Sequence, residues 1–222
     1  MTHDGPAVIF DFDGVIADSE GLHFRAFQQA FASRGWTLSH AEYYDRYLGY
    51  SDRDVIRTFV TEHDAAAVAG DLQSMSTLKG RIYEALAAGG ALCPGAEACV
   101  RRLGARFPLA IASGALAHEI VHALDAAGLR SLFLTIVGAG DVTSSKPAPD
   151  SYLEAARRLG IDAARCVALE DSPWGLESAR AAGCRAIGIT HSYPAARLSA
   201  ADVVIDSLDE VSEGLIIALT SS

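Results

Sequence analysis

The chain has 222 residues, half of them hydrophobic, and it carries a formal net charge of −10 with a mean hydropathy of +0.19. This composition excludes a disordered chain, and the acidic balance argues against a nucleic-acid-binding surface, which needs a basic face. No apolar run approaches the ~20 residues of a membrane-spanning helix, and the first residues lack the features of a secretion signal. We expect a soluble, cytoplasmic monomer or small homo-oligomer that binds neither nucleic acid nor membrane.

The cysteines show neither a disulfide framework nor a zinc site. The four of them, Cys93, Cys99, Cys166 and Cys184, contain no C-x-x-C pair and no spacing typical of zinc ligands. We expect all four thiols to be reduced.

The first predicted strand ends in a pair of acids. A short apolar run at residues 7–10 predicts a buried strand, and Asp11 and Asp13 follow it directly. In an extended chain, residues i and i+2 lie on the same side, so both carboxylates should face one place at the carboxyl edge of a sheet. Gly14 lets the chain turn away at once. Such a pair suits a divalent cation, a nucleophile beside an acid–base group, or both.

Residues 18–89 contain no convincing strand and predict an all-helical insertion. Ser19 is a candidate N-cap for its first helix, and further helices are expected near 40–47, 51–63 and 65–88. The apolar face of the first helix is predicted to comprise Leu22, Phe24, Phe27, Ala30 and Phe31. Gly89 and Gly90 then return the chain to a different pattern.

From residue 91 onward, helices and strands alternate. Strands are predicted at 109–113, 132–137, 166–170, 186–189 and 203–205, and helices at 96–106, 116–127, 150–159, 173–182 and 208–219. The strands are short and continuously apolar, as in a parallel sheet that is buried on both faces. We therefore predict a doubly wound, Rossmann-like α/β core made of residues 1–17 and 90–222, with an inserted helical cap at 18–89.

Three further strand ends carry polar residues. Ser113 and Gly114 precede a helix, where a hydroxyl and free backbone N–H groups can bind an anion or merely cap the helix. Lys146 lies in a Gly/Ser-rich loop and is one of only two lysines among the 18 basic residues. Glu170 and Asp171 end another strand, and two adjacent acids are more than an N-cap requires. Trp174, in the helix that follows, suits core packing or a wall near the site, and we expect core packing.

Together these signals place acids, a hydroxyl and a lysine at one edge of one sheet. Carboxylates bind Mg²⁺, and a lysine neutralises phosphate oxygens. The set predicts Mg²⁺-assisted phosphoryl transfer.

The ordered set of motifs resembles the haloacid dehalogenase-like superfamily. Its four motifs occur in sequence as residues 11–15 (DFDGV), Ser113-Gly114, Lys146-Pro147, and residues 170–172 (EDS) with Gly175 following. The insertion resembles the helical cap of that superfamily. The most similar branch comprises phosphatases related to β-phosphoglucomutase and phosphoglycolate phosphatase.

The resemblance implies a role for each motif. Asp11 is expected to be the nucleophile, and Asp13 to protonate the leaving oxygen and then to activate water. Ser113, Gly114 and Lys146 are expected to bind the phosphoryl group. Mg²⁺ is expected at Asp11, the Asp13 main-chain carbonyl, Asp171 and Glu170, the last directly or through water. An Asp carboxylate is ionised at neutral pH and needs no base to attack.

The cap sequence favours a hydrolase over a phosphosugar mutase. The mutases carry a Lys-Gly pair and an Arg three residues after that Gly, whereas this chain has Leu48 before Gly49 and Asp52 in the Arg position, with Arg53 displaced by one. Two lost cations weaken binding of a bisphosphate intermediate.

Other cap residues keep the mutase alternative open. His23 and Lys79 match a cap histidine and a cap lysine of the mutases. Gly49, Arg53, His23 and Lys79 are therefore candidate substrate contacts, although each charged one also suits a solvated helix face. The predicted substrate is a small phosphorylated metabolite, of sugar phosphate or phosphoglycolate type. A catalytically silent binding protein on the same fold is a third alternative, and the intact motifs argue against it.

Overall fold

The computed structural model describes residues 5–47, 52–63, 69–87 and 92–221. The chain divides into two compact units, which we call the core unit (Met1–Asp18 with Leu92–Ser222) and the cap unit (Ser19–Ala91). The predicted cap boundaries at 18 and 89 remain predictions. The first residue of the cap unit is one position after the predicted start, and its last residue is two positions after the predicted end. Within the described residues, no helix combines the length and hydrophobicity needed to cross a membrane.

The core unit contains a six-stranded sheet in which every neighbouring pair is parallel. Its strands are β1 (Ala7–Phe10), β2 (Leu109–Leu116), β3 (Phe133–Ala139), β4 (Cys166–Glu170), β5 (Arg185–Ile189) and β6 (Val203–Ile205). The spatial order is β3-β2-β1-β4-β5-β6, so the chain winds outward from β1 in both directions. The predicted doubly wound parallel sheet is confirmed.

Helices make up the rest of the regular structure in the described residues. They are α1 (Ser19–Ala32), α2 (His40–Arg46), α3 (Asp52–His63), α4 (Ala69–Ala87), α5 (Ala96–Gly104), α6 (Ala117–Ala126), α7 (Asp150–Leu159), α8 (Pro173–Ala181) and α9 (Glu213–Thr220). The first four lie in the cap unit and the other five in the core unit.

Alternation along β1 shows how the sheet is buried on both faces. Val8 and Phe10 belong to one apolar cluster, which includes residues of α5 and α6. Ala7 and Ile9 belong to a second cluster, which includes Tyr152 of α7 and residues of α8. All four residues of β1 are fully buried. Because successive side chains of a strand point to opposite faces, a continuously apolar strand needs helices on both sides.

The cap unit has its own aromatic core. Phe27 and Phe31 of α1 are buried together with Phe59 of α3, and the rings of Phe31 and Phe59 stack with centroids 4.0 Å apart. The predicted apolar face of α1 is buried except for Phe24, which is partly exposed and packs against this cluster. This apolar interior accounts for the separate compactness of the unit.

Several element boundaries differ from prediction, among them those of α1, β2 and the last predicted helix. Ser19 is the first residue of α1, whereas the sequence predicted it as the N-cap that precedes the first helical residue. Strand β2 runs on to Leu116, three residues beyond the predicted end. The last predicted helix is divided into a single 3₁₀ turn at Leu208–Glu210 and α9, because the backbone of Val211 is extended and Ser212 caps a new helix through Leu215 N.

Candidate active site

The sheet topology places the acidic residues beside each other. Strands β1 and β4 are neighbours, and the winding direction changes between them, which makes their carboxyl ends the usual ligand site of an open α/β sheet. Asp11 follows β1 and its backbone N–H donates to the carbonyl of Leu169 over 2.9 Å. Glu170 ends β4 and Asp171 comes next. Strand pairing therefore places the three carboxylates at one point.

Lys146 bridges two of these carboxylates. Its Nζ atom lies 2.7 Å from Asp11 Oδ1 and 2.5 Å from Glu170 Oε1. The Glu170 side chain is fully buried, and the side chains of Lys146 and Asp11 are only 15% and 11% exposed. Burial alone would lower the pKa of Lys146, but the charges of Asp11 and Glu170 outweigh burial and raise it. Lys146 is therefore held as an ammonium group.

Glu170 accepts hydrogen bonds on both carboxylate oxygens. Oε1 accepts from Lys146 and from the hydroxyl of Tyr152, over 2.8 Å in the second case. Oε2 accepts from the backbone N–H and the hydroxyl of Ser172, over 3.3 and 3.0 Å. Gly175 makes room for this carboxylate, since a Cβ atom there would lie 1.8 Å from Oε1. The Glu170 side chain is thus fixed by four donors.

Asp171 is supported from the loop after β5. The hydroxyl of Ser192 donates a short hydrogen bond to Asp171 Oδ2. Nδ1 of His191, the preceding residue, lies 2.9 Å from the carbonyl oxygen of Gly14. Gly14 has a φ of +75°, and a Cβ atom there would lie 1.8 Å from Asp171 Oδ2. Only glycine therefore fits at position 14, because both the backbone conformation and the approach of Asp171 exclude a side chain.

The donor set fits a divalent cation. One oxygen from each of Asp11, Glu170 and Asp171 lies within 4.8 Å of the others. Burial and then the charge of Glu170 raise the pKa of Asp11 well above its usual value and the pKa of Asp171 to about 7. When all three carboxylates are ionised, the single ammonium of Lys146 leaves two negative charges uncompensated, which one dication would balance. Oxygen ligands of this kind suit Mg²⁺.

The remaining core motifs lie at the same edge of the sheet. Phe10 pairs with Ile111, which places Asp11 and Ser113 just beyond paired positions of neighbouring strands. Ser113 is buried, and its hydroxyl accepts from the backbone N–H of Ala115 over 3.0 Å. Gly114 is exposed. Asp13 is half-buried, and its charge contributes to the raised pKa of Asp11. The structure thus brings all four predicted motifs to one region of the core unit.

Two of the predicted cap residues contact each other within the cap unit. Lys79 Nζ lies 2.7 Å from His23 Nδ1 and 2.6 Å from Asp52 Oδ2. Lys79 is almost completely buried, with Nζ 4.6 Å from the ring centroid of Phe27 and 4.9 Å from that of Tyr83. Burial lowers the pKa of Lys79 although Asp52 opposes this effect. Lys79 is not a solvated helix charge.

The other two cap candidates are Arg53 and Gly49. Arg53 is exposed on α3 and lines a surface hollow of about 400 Å³ together with Ile56, Arg57, Leu72, Gln73 and Ser76. Gly49 lies outside the described residues. The substrate-binding roles of Gly49 and Arg53 stay predictions.

The structure adds three residues to the site that the sequence did not indicate: Tyr152 binds Glu170, Ser192 binds Asp171, and His191 contacts Gly14. Ser172, which the sequence placed in the fourth motif without a role, also binds Glu170. The hydroxyl of Ser172 also accepts from Gly175 N, so the N-cap of α8 supports the site as well. The expected burial of Trp174 is wrong, because this side chain is 47% exposed and its ring meets that of Tyr193 edge to face.

A carboxylate cluster that fits a dication, beside a buried lysine at the switch point of a doubly wound sheet, has the charges needed to bind and polarise a phosphate ester. The chain belongs to the haloacid dehalogenase-like hydrolase family, whose sequence profile matches residues 8–189. The predicted family is therefore confirmed, and the chain is a phosphatase of phosphorylated metabolites within it.

Individual relatives cover most of this chain. Protein CbbY of Cupriavidus necator is 38% identical over 80% of this chain and 75% of its own length. Fructose-1-phosphate phosphatase YqaB of Escherichia coli is 29% identical over 82% of this chain and 95% of its own length. A variant of CbbY from Rhodobacter sphaeroides, solved in complex with xylulose-(1,5)bisphosphate, superposes with a TM-score of 0.67 at 31% identity, over 96% of this chain and 98% of that one.

Proposed function

We propose that this protein is a Mg²⁺-dependent phosphatase that hydrolyses a small phosphorylated metabolite, of sugar phosphate or phosphoglycolate type, through an aspartyl-phosphate intermediate. One observation carries the proposal: Asp11 Oδ1 lies 2.7 Å from Lys146 Nζ, in a buried group with Glu170 and Asp171. A nucleophilic carboxylate held beside a cation in this way can approach an anionic phosphate. The names of the relatives, which include a sugar-phosphate phosphatase, support the substrate class.

The proposed reaction has two displacement steps at phosphorus. A carboxylate oxygen of Asp11 forms a bond to phosphorus, the bond from phosphorus to the ester oxygen breaks, and the leaving oxygen takes a proton from Asp13. Asp13 then takes a proton from water, whose oxygen attacks the phosphorus of the aspartyl phosphate and releases orthophosphate and Asp11. The covalent intermediate divides one difficult hydrolysis into two easier steps. Lys146, Ser113 and Gly114 bind the phosphoryl oxygens.

The dication would be held by Asp11, Asp171 and the main-chain carbonyl of Asp13, with Glu170 direct or through water. When bound, it supplies positive charge that offsets repulsion between the carboxylates and the phosphate. It also favours the ionised form of Asp11, whose pKa is raised by burial and by the charge of Glu170. Asp11 must be ionised to act as a nucleophile.

The cap unit supports hydrolysis over mutase chemistry. In the mutase pattern an Arg stands at the position of Asp52 and grips a second phosphate. Here Asp52 binds Lys79 and also lies 3.3 Å from His23. The carboxylate thus compensates the positive charge of Lys79, which reduces the attraction that this region offers to a second phosphate. A mutase remains the alternative to be tested, because His23 and Lys79 match that pattern.

The test is a turnover screen with p-nitrophenyl phosphate and a panel of phosphorylated sugars and phosphoglycolate. We expect release of orthophosphate that requires Mg²⁺ and is abolished by EDTA. Asp11→Asn should abolish turnover, whereas Asp125→Asn, an exposed residue of α6, should leave it unchanged. Acid quenching during turnover should yield a hydroxylamine-sensitive phosphopeptide that contains Asp11.

Each contrary result has a distinct meaning. Metal-dependent turnover retained by Asp11→Asn contradicts the proposed nucleophile. Interconversion of sugar phosphates that needs a catalytic amount of bisphosphate identifies a mutase. Binding of phosphorylated sugars without turnover of any of them identifies a silent binding protein.

A further inference from the structure

Tyr152 is a fully buried residue that contacts two side chains of the candidate active site. It is the third residue of α7, and its side chain is fully buried in the apolar cluster that also contains Ala7 and Ile9. Its hydroxyl donates to Glu170 Oε1 over 2.8 Å, and Lys146 Nζ lies 5.1 Å from its ring centroid. One side chain therefore contacts both the acid and the ammonium group of the site.

We propose that Tyr152 is a positioning residue: its hydroxyl orients Glu170, and Glu170 in turn holds Lys146 Nζ beside Asp11. The inference rests on the proposed function and deepens it, because it concerns the residue that binds the phosphoryl oxygens. Tyr152 itself touches no reacting atom.

The geometry of the ammonium group shows why its orientation matters. A lysine ammonium has three N–H donors, and Asp11 and Glu170 take two of them. The third is left to bind a phosphoryl oxygen, so its direction depends on where the two acceptors lie. Asp11 must form a bond to phosphorus in the proposed reaction, which leaves Glu170 as the acceptor that stays in place throughout.

The contacts of Glu170 show what the tyrosine hydroxyl adds. Oε2 accepts from Ser172, which lies only two residues further along the chain. Oε1 instead accepts from two distant residues, Lys146 and Tyr152. Without the hydroxyl, the full negative charge on Oε1 faces Lys146 alone in a dry environment. The ammonium is then drawn toward Glu170 and away from the phosphoryl oxygens.

Two variants separate the hydroxyl from the ring. Tyr152→Phe removes the hydrogen bond to Glu170 and keeps the aromatic contact with Lys146, whereas Tyr152→Leu removes both. Ser151→Ala is the matched control, since Ser151 is a buried neighbour on the same helix whose hydroxyl has no hydrogen-bond partner in the described part of the chain. It removes a buried hydroxyl without touching the site.

The first measurement requires no turnover. Lys79 and Lys146 are the only lysines of the chain, so a protein labelled with nitrogen-15 lysine gives two side-chain ammonium signals. We expect Tyr152→Phe to shift the Lys146 signal and to speed its hydrogen exchange, and to leave the Lys79 signal unchanged. Ser151→Ala should change neither. An unchanged Lys146 signal in Tyr152→Phe would overturn the proposal.

The second measurement separates positioning from general stability. In steady-state assays with p-nitrophenyl phosphate well below the melting temperature, kcat/KM should fall on the order of tenfold in Tyr152→Phe, and further in Tyr152→Leu. Competitive inhibition by orthophosphate should weaken in parallel. A lower melting temperature with unchanged kcat/KM and unchanged orthophosphate inhibition would mean that Tyr152 only fills the core.

The two measurements distinguish this inference from the proposed function. If the unaltered protein releases no phosphate from any substrate, the proposed function fails, and the Lys146 signal still decides the role of Tyr152. If phosphatase activity is present but Tyr152→Phe matches the unaltered protein in both measurements, only the positioning role is overturned. If Tyr152→Leu fails to fold, the measurements on Tyr152→Phe alone decide between these outcomes.

Discussion

The two lysines of the chain lie in opposite electrostatic environments. Lys146, in the core unit, is bound by two carboxylates, and their charges raise its pKa in spite of burial. Lys79, in the cap unit, is bound by the carboxylate of Asp52, and burial lowers its pKa. An excess of negative charge thus marks the core cluster, whereas the cap pair is nearly balanced. The comparison shows that a buried lysine can belong to a net negative cluster or to a nearly neutral pair, and that only the first arrangement leaves negative charge for a bound dication.

Replacing each lysine by methionine should give the largest difference in activity between the two sites. Lys146→Met removes the cation that binds phosphoryl oxygens, and we expect kcat to fall about 100- to 1,000-fold. Lys79→Met should lower kcat far less, because the charge of Lys79 is already compensated by Asp52. Orthophosphate release from p-nitrophenyl phosphate measures both, and equal losses in the two variants would refute the distinction.

Two glycine-to-alanine substitutions compare how tightly the core unit and the cap unit are packed around a glycine. At Gly175 a Cβ atom would lie 1.8 Å from Glu170 Oε1, and four hydrogen bonds keep that carboxylate from moving. Gly175→Ala should cost about 3 kcal/mol of unfolding free energy and most of the activity. Gly80, on α4, has open space where a Cβ atom would lie. Gly80→Ala should therefore stabilise the protein by about 1 kcal/mol.

Urea unfolding of both glycine variants provides the measurement. A Gly175→Ala variant as stable and as active as the unaltered protein would show that the Glu170 carboxylate moves freely. That result would also remove the basis for treating Glu170 as a fixed anchor of Lys146.

Charge balance in the cap unit is tested by a double-mutant cycle. Asp52→Asn leaves the buried ammonium of Lys79 without a carboxylate, and we expect a loss of about 2 kcal/mol, limited because Asp52 is partly exposed and screened by solvent. Adding Lys79→Met should restore part of that loss, since an apolar chain suits the rings of Phe27 and Tyr83. Additive effects in chemical denaturation would contradict the pairing.

The smallest predicted effect concerns pH and the dication. The pKa of Asp171 is raised to about 7 by burial and the charge of Glu170, so the metal-free native state binds a proton more tightly than the unfolded chain does. Its contribution to stability therefore falls as the pH rises from about 4 through about 7. Mg²⁺ competes with that proton, so the Mg²⁺-induced rise in melting temperature should grow over the same range and level off above it.

The cap unit should respond to pH with the opposite sign. Burial would raise the pKa of Asp52, but hydrogen bonds from His23 and Lys79 lower it to about 2. The stability it contributes is present above its usual value of 3.8 and is lost as the pH falls toward about 2. Thermal scans against pH, with and without Mg²⁺, separate the two effects. Asp171→Asn should abolish the Mg²⁺ response, and Asp52→Asn should preserve it.

Most helices and strands of the core unit could be predicted from local sequence patterns. The apolar run before Asp11 and the run before Glu170 each predicted a strand, and parallel strands bring their carboxyl ends to one edge. That rule predicts the acids at one edge of the sheet, and the adjacency of β1 and β4 in the structure brings them together. The division of the last predicted helix was not readable, because Val211 is compatible with a helix in composition and only the two serine caps around it separate the turn from α9.

The partners of the site residues were the least predictable feature. Tyr152 reads as an ordinary apolar position of an amphipathic helix, and its hydroxyl meets Glu170 only after α7 packs on the sheet. Ser192 follows β5 in a loop with no distinguishing pattern. Asp52 was noted as a departure from the mutase sequence, yet nothing local indicated that it would bind Lys79.

The sequence by itself determined the order of helices and strands, the family, and which residue types stand at the strand ends, since each depends on short-range periodicity and on turn chemistry. Only the tertiary structure decided which charges meet. Lys146 and Asp11 are 135 positions apart, and a contact across such a separation leaves no trace in local sequence. It forms because two parallel strands and a loop converge at one edge of the sheet, where burial makes every charge depend on its neighbours.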